Sequence, residues 1–231
     1  MFGKICVSIA AEDSEALKEQ INKALVAGAD YVEIRFDFLK ISQVEQALKI
    51  AEKVREKSVF TLRSSEQGGK FKGSTTDRIY WLKKLSITTP MLLDVEYNTI
   101  QGNDDFADYL KVQKIPILVS WHDFQKTPQY NELIDILEKM RIYSNYIKIV
   151  TTALNIQDAL RLLDLYETAA GLNLIAFAMG EAGVISRILC TLLGKTPFTY
   201  AGLEEAIAPA QLTIKQMRKI YDRINFLSNR V

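Results

Sequence analysis

The 231-residue chain is short of histidine and cysteine, with one of the first and two of the second. Cys6 and Cys190 stand far apart and outside any C-x-x-C or His spacing, so neither a zinc site nor a redox pair is encoded, and reduced thiols are expected. Net charge is nearly absent as well, because 29 Lys+Arg against 28 Asp+Glu leave +1. A nucleic-acid binder carries a basic stripe, and no run of like charge marks a membrane surface or an acidic partner. Long hydrophobic runs are also missing. The N-terminus, M-F-G-K-I-C-V-S-I-A-A-E-D, meets acidic residues before a signal core can form, and no apolar stretch approaches the length of a membrane span. The expectation is a soluble, cytoplasmic protein. No linker, low-complexity tract or composition break divides the chain, and 48% hydrophobic residues supply a sizeable core, so residues 1–231 are expected to form a single domain.

What is present is a rhythm of short apolar runs alternating with amphipathic ones. The runs predict strands at Ile5 to Ile9, Tyr31 to Phe36, Ser58 to Arg63, Met91 to Val95, Ile117 to Trp121, Tyr146 to Val150, Leu174 to Ala178 and Phe198 to Tyr200. Helical patterns fall between them: Ser14 to Ala27 closed by Gly28, Val44 to Glu56, Thr76 to Leu85, Gln129 to Met140, Ile156 to Ala170 closed by Gly171, and Val184 to Leu193 closed by Gly194. Such strand-helix units predict an α/β fold of the (β/α)8 TIM-barrel type, which takes roughly 250 residues, with a doubly wound open sheet as the alternative.

In a barrel of this kind the functional groups collect at the C-terminal ends of the strands. His122 ends one predicted strand in I-P-I-L-V-S-W-H-D-F, and Lys148 lies inside the next in Y-I-K-I-V. A lysine among Ile147, Ile149 and Val150 loses hydration for its charged form, which favours the neutral, nucleophilic amine. With a histidine beside it, the pair points to a Schiff base with a ketone and removal of a neighbouring carbon-bound proton. Each residue alone also has a structural reading, as a satisfied core histidine and a snorkelling strand lysine.

The second strand ends Y-V-E-I-R-F-D, which puts Glu33, Arg35 and Asp37 at alternate positions and so on one inward face, either bound to a ligand or satisfied as a Glu-Arg-Asp network. For Asp37 the network is the reading preferred. Arg63 ends the third strand before S-S-E-Q-G-G-K. In the seventh unit A-M-G-E-A-G-V-I-S-R places Arg187 one turn into a helix after a glycine loop, read as an ordinary turn in preference to a phosphate cradle.

The ordered set E-I-R-F-D, T-L-R before G-G, S-W-H-D-F, I-K-I-V, M-G-E-A-G-V-I-S-R and A-P-A-Q resembles the type I 3-dehydroquinate dehydratases over nearly the whole chain. That resemblance implies a barrel enzyme that dehydrates 3-dehydroquinate to 3-dehydroshikimate, without metal or organic cofactor, as a homodimer. It implies an imine on Lys148 and proton transfer by His122. It further implies that Arg187 and Gln211 hold the substrate carboxylate, that Glu33, Arg35 and Arg63 hold ring hydroxyls, and that Met179 and Tyr200 line the pocket.

Three positions depart from the family pattern. Gln67 stands where a glutamate usually orients the histidine, with Glu66 one residue earlier. Ile207 and Ala210 replace a serine and a glycine in the closing loop. The first strand begins by about Lys4, which leaves no sequence for the hairpin that plugs the barrel bottom in longer relatives, so side chains or other segments must close it. A class I aldolase-like barrel is the rival enzyme reading, and a non-catalytic binding protein on the same scaffold is the rival from another class.

Overall fold

Strand and helix choice follows the spacing of apolar residues. In α1 (Ser14–Val26) Leu17, Ile21 and Ala24 recur at three- and four-residue intervals and are buried, while the Asp13 side chain accepts from the Ala16 amide at 2.9 Å and starts the helix. A reciprocal Ser74–Asp77 capping box starts α3 (Thr75–Ser86), and Asn155 caps α7 (Ile156–Leu163). The remaining helices are α2 (Val44–Ala51), α4 (Tyr97–Gln101), α5 (Asp104–Val112), α6 (Tyr130–Met140), α8 (Leu165–Thr168), α9 (Val184–Leu189) and α10 (Ile214–Ser228). The structure, a computed structural model, describes residues 3–193 and 196–228.

The eight strands are β1 (Ile5–Ile9), β2 (Tyr31–Arg35), β3 (Ser58–Thr61), β4 (Leu92–Glu96), β5 (Ile117–His122), β6 (Tyr146–Thr152), β7 (Asn173–Met179) and β8 (Thr199–Ala201). All pair in parallel in the order β7-β6-β5-β4-β3-β2-β1-β8. This is a (β/α)8 barrel. Across its seam the Phe177 ring of β7 and the Tyr200 ring of β8 lie 6.1 Å apart, and Thr199 Oγ1 ties β8 to the carbonyl of Arg187 on α9 at 2.9 Å.

Several expectations about elements need correction. The pattern over 44–56 yields an α-helix only to Ala51, followed by 3-10 turns over Glu52–Lys57, and the pattern over 156–170 breaks at Asp164. Gly194, expected to close the ninth helix, lies outside the described residues. Helices α4, α5 and α10 were not anticipated; α5 buries only Phe106 and Leu110, too few anchors to display a period.

The pleat divides each strand between two cores. Ile5, Val7 and Ile9 face the helices, whereas Cys6 joins Val59, Leu92, Leu118, Ile175 and Phe198 inside the barrel. Inward positions change character along β3 and its continuation, β4 and β5: Val59, Thr61, Arg63; Leu92, Asp94, Glu96; Leu118, Ser120, His122. The N-terminal end is therefore apolar, with Tyr31, Met91 and Tyr146 packed against the inner core and the Tyr31 and Phe198 rings 5.2 Å apart. These side chains fill the barrel bottom. The C-terminal end is charged.

Candidate active site

Buried charges at the C-terminal mouth have to be paired, and the register of the sheet decides how. Lys148 on β6 sits opposite Ser120 on β5, and its Nζ lies 3.5 Å from both Glu33 Oε1 and Asp94 Oδ2 and 4.2 Å from the Tyr200 ring centroid. The surroundings of the amine are thus not the apolar cage expected from Ile147, Ile149 and Val150, which belong to the strand but do not face it from all sides. Carboxylate attraction opposes the loss of hydration.

Glu33 also accepts from Ser8 Oγ at 2.7 Å and Thr61 Oγ1 at 2.9 Å. Burial raises its carboxyl, but Lys148, Arg35, the Ser8 hydrogen bond and Arg63 outweigh that and bring it to about 2. Arg63 donates to Asp94 Oδ2 and Ser120 Oγ at 2.8 Å each and lies 3.5 Å from Glu96. Glu96 in turn holds Arg78 and the Ser64 amide, fixing the start of the β3 loop. Asp94 and Glu96 were missed from sequence, although L-L-D-V-E alternates in the same way as the second strand.

Asp37 is not on the inward strand face. β2 ends at Arg35, and Phe36–Phe38 make a 3-10 turn that swings Asp37 into a fork with Arg35, at 2.9 Å to Nε and 2.7 Å to Nη2. Asp37 is thus satisfied by Arg35 and the Lys70 amide, as the network reading held, whereas among the described residues no hydrogen bond or ion pair joins Glu33 to Arg35, and Glu33 goes to Lys148.

Lys148, His122, Glu33, Arg35, Arg63, Arg187, Gln211, Gln67, Met179 and Tyr200 all line one cavity of about 130 Å³, and Glu66 does not. Phe124, Phe177, Ile207, Ala208 and Pro209 are also part of its wall. The volume is close to that of a cavity (roughly 150 Å³) that accepts one benzene-sized ring. Three polar atoms there, His122 Nδ1, Arg187 Nε and the Tyr200 hydroxyl, are buried without a hydrogen-bond partner among the described residues. Buried polar atoms are ordinarily hydrogen-bonded, so these three stand out among the described residues.

His122 is pushed well below its usual range by burial and by the Arg63, Lys148 and Arg35 charges, which leaves it neutral at neutral pH and able to accept a proton. Arg187 stacks over Phe177 at 4.3 Å, forms no ion pair among the described residues and is lowered by burial to about 10. At this mouth Arg35, Arg63, Arg78 and Lys148 have the four carboxylates Glu33, Asp37, Asp94 and Glu96, and Arg187 is left over.

The loops fit this reading. The β7 loop is a tight turn held by Ser186, whose Oγ accepts from Ala178 N at 2.8 Å and donates to the Gly183 carbonyl at 2.6 Å. At Gly183 a Cβ would come within 2.5 Å of the Ala178 carbonyl oxygen, so the turn closes on its own backbone. In the closing segment Gln211 Oε1 accepts from Ile207 N at 3.0 Å, which leaves the Gln211 amide hydrogens as donors, and Ala210 adopts φ +53°.

A model of the family described as type I 3-dehydroquinase matches residues 5–227. The chain belongs to the type I 3-dehydroquinase family. It is 35% identical over 224 residues to a 3-dehydroquinate dehydratase of Dehalococcoides mccartyi, covering 96% of this chain and 95% of that one. A 3-dehydroquinate dehydratase of Pyrococcus abyssi is 35% identical over 208 residues, covering 90% of this chain and 93% of the relative. Among solved structures, the type I 3-dehydroquinate dehydratase of Clostridium difficile with covalently modified comenic acid superposes with a TM-score of 0.87 at 25% identity, over 100% of this chain and 94% of that one. The cavity of this 3-dehydroquinase lies where barrels of its class carry their sites.

Proposed function

We propose that this chain, a type I 3-dehydroquinase, dehydrates 3-dehydroquinate to 3-dehydroshikimate in the shikimate pathway through a Schiff base on Lys148. The observation that carries the mechanism is the shared cavity in which a buried lysine amine, a neutral histidine and an arginine without an ion pair among the described residues meet. Covalent modification of the Clostridium difficile relative is in keeping with a nucleophilic site of this kind.

The Lys148 amine adds to the ring ketone and water leaves, giving an iminium flanked by Glu33 and Asp94. His122 takes a proton from the carbon beside the iminium, and the bonding pair moves into the ring-to-nitrogen system as an enamine. Return of that pair expels the hydroxyl on the next carbon, which leaves as water with the proton His122 had taken. Hydrolysis of the imine then releases the conjugated enone and frees Lys148. One imidazole serves both transfers, a contribution of about 10² to 10⁴ in rate.

Arg187 and the Gln211 amide hold the substrate carboxylate. Arg35, with Nε and Nη2 committed to Asp37, keeps Nη1 for a ring hydroxyl, while Glu33 orients a second. Arg63 contributes chiefly by holding Asp94 and Ser120. Met179 and Tyr200 form the ring-facing wall. The site needs no cofactor in this scheme. The chain folds and unfolds as one domain, works in the cytoplasm and pairs as a homodimer on this reading, which light scattering and a single calorimetric transition check. Among the described residues no helix is long and apolar enough to cross a membrane.

The direct test follows absorbance of the conjugated enone when the protein is mixed with 3-dehydroquinate. No absorbance rise at any pH between 5 and 9 excludes the proposed activity.

A further inference from the structure

The base in this cavity has no polar support at its buried nitrogen, since His122 Nδ1 lacks a partner among the described residues. Its ring lies instead against Phe124, with centroids 5.8 Å apart and planes 10° from parallel, an offset stack. Phe124 is held in turn from two sides. Asp123 Oδ1 accepts from the Gln125 and Lys126 amides at 2.8 and 3.0 Å, and the Asp123 amide donates to the Val150 carbonyl at 2.9 Å, which fixes the backbone turn that presents the ring. Gly68, with φ +73°, leaves the space that the ring occupies: a Cβ there would stand 2.7 Å from Phe124 Cζ.

We infer that Phe124 is the positioning residue of this enzyme's acid–base group: wedged between Gly68 and His122, it fixes the imidazole plane that the β3 loop, with neutral Gln67 in the cavity wall, does not fix by charge. The inference rests on the proposed proton-transfer role of His122. The ring is 46% exposed, so it contributes little to the core, and its packing has a local consequence. An imidazole free to tilt spends less time aligned with the substrate C–H bond, and misplacement at the 1 Å scale is enough to slow a reaction by roughly 100-fold.

The test compares Phe124→Leu, Phe124→Tyr and Gly68→Ala with the parent enzyme. For Phe124→Leu the expected result is a kcat lower by roughly tenfold, little change in KM or Tm, undiminished borohydride-trapped imine on Lys148, and a larger isotope effect with substrate deuterated beside the ketone. Phe124→Tyr restores kcat. Gly68→Ala, which pushes on the ring without altering it, lowers kcat in the same way and gives the answer if the leucine variant does not fold. Parental kcat in Phe124→Leu, an unaltered isotope effect, or failure of tyrosine to restore the rate each overturns the inference. If His122→Ala itself keeps full turnover, the reading of His122 has failed first, and the two failures are told apart by that variant alone.

Discussion

Lys148 lies opposite Ser120 in the β5–β6 ladder, two residues deeper in the barrel than His122 on the neighbouring strand. At roughly 3.3 Å per residue that offset is about 7 Å along the strand, and both side chains line the same cavity.

The first expectation is chemical trapping. Borohydride added with substrate or product reduces the imine and inactivates the enzyme, and peptide mass analysis finds the adduct on Lys148. An adduct on any other lysine, or none, removes the Schiff-base scheme. Trapping of a sugar phosphate instead of the dehydroquinate ring transfers the site to the aldolase-like reading.

His122→Ala separates imine formation from proton transfer. Covalent substrate accumulates on Lys148 in this variant, while turnover falls by at least about 10². Parental turnover in His122→Ala makes His122 a packing residue.

The pH dependence follows from the environment of His122. Burial and three neighbouring cations lower it, and the base acts when deprotonated, so the acidic limb of kcat/KM lies below the ordinary histidine range near 6.5. Gln67→Glu brings a carboxylate into the same cavity wall, stabilises the imidazolium and moves that limb upward. Glu66 is exposed and outside the cavity, so Glu66→Gln leaves the profile in place. The reverse response assigns the orienting role to Glu66.

Arg187 is expected to trade stability for binding. Arg187→Met removes a buried cation that has no carboxylate among the described residues, so the Tm of the empty protein stays level or rises. The same change raises KM by at least about 30-fold through loss of the carboxylate contact. A variant with parental KM shows that another residue receives the anion.

Much of the site was legible because strand parity is a local property. A period of two places Glu33 and Arg35, Lys148 and Val150, or Ser120 and His122 on one face wherever the strand runs, and the strand ends then predict the mouth. Asp94 and Glu96 obey the same rule, and L-L-D-V-E carries the same alternation as the second strand. Asp37 broke the rule, since two residues after Arg35 the chain leaves the strand for a 3-10 turn, and parity holds only within a strand.

The amino-acid sequence by itself determined the alternation of strand and helix, the inward set of each strand and the apolar-to-charged gradient along the barrel axis, because all of these depend on neighbours within one element. Tertiary structure alone decided which charges neutralise one another. Arg63 meets Asp94 across 31 residues and Lys148 meets Glu33 across 115, through a ladder register that no local pattern encodes. It also decided that Arg187 has no carboxylate partner among the described residues, that Gln67 rather than Glu66 reaches the cavity, and that Tyr31, Met91 and Tyr146 pack against the inner core at the barrel bottom. Such outcomes arise from the stagger between strands and the path of loops, where distance in space is set by closure of the whole barrel.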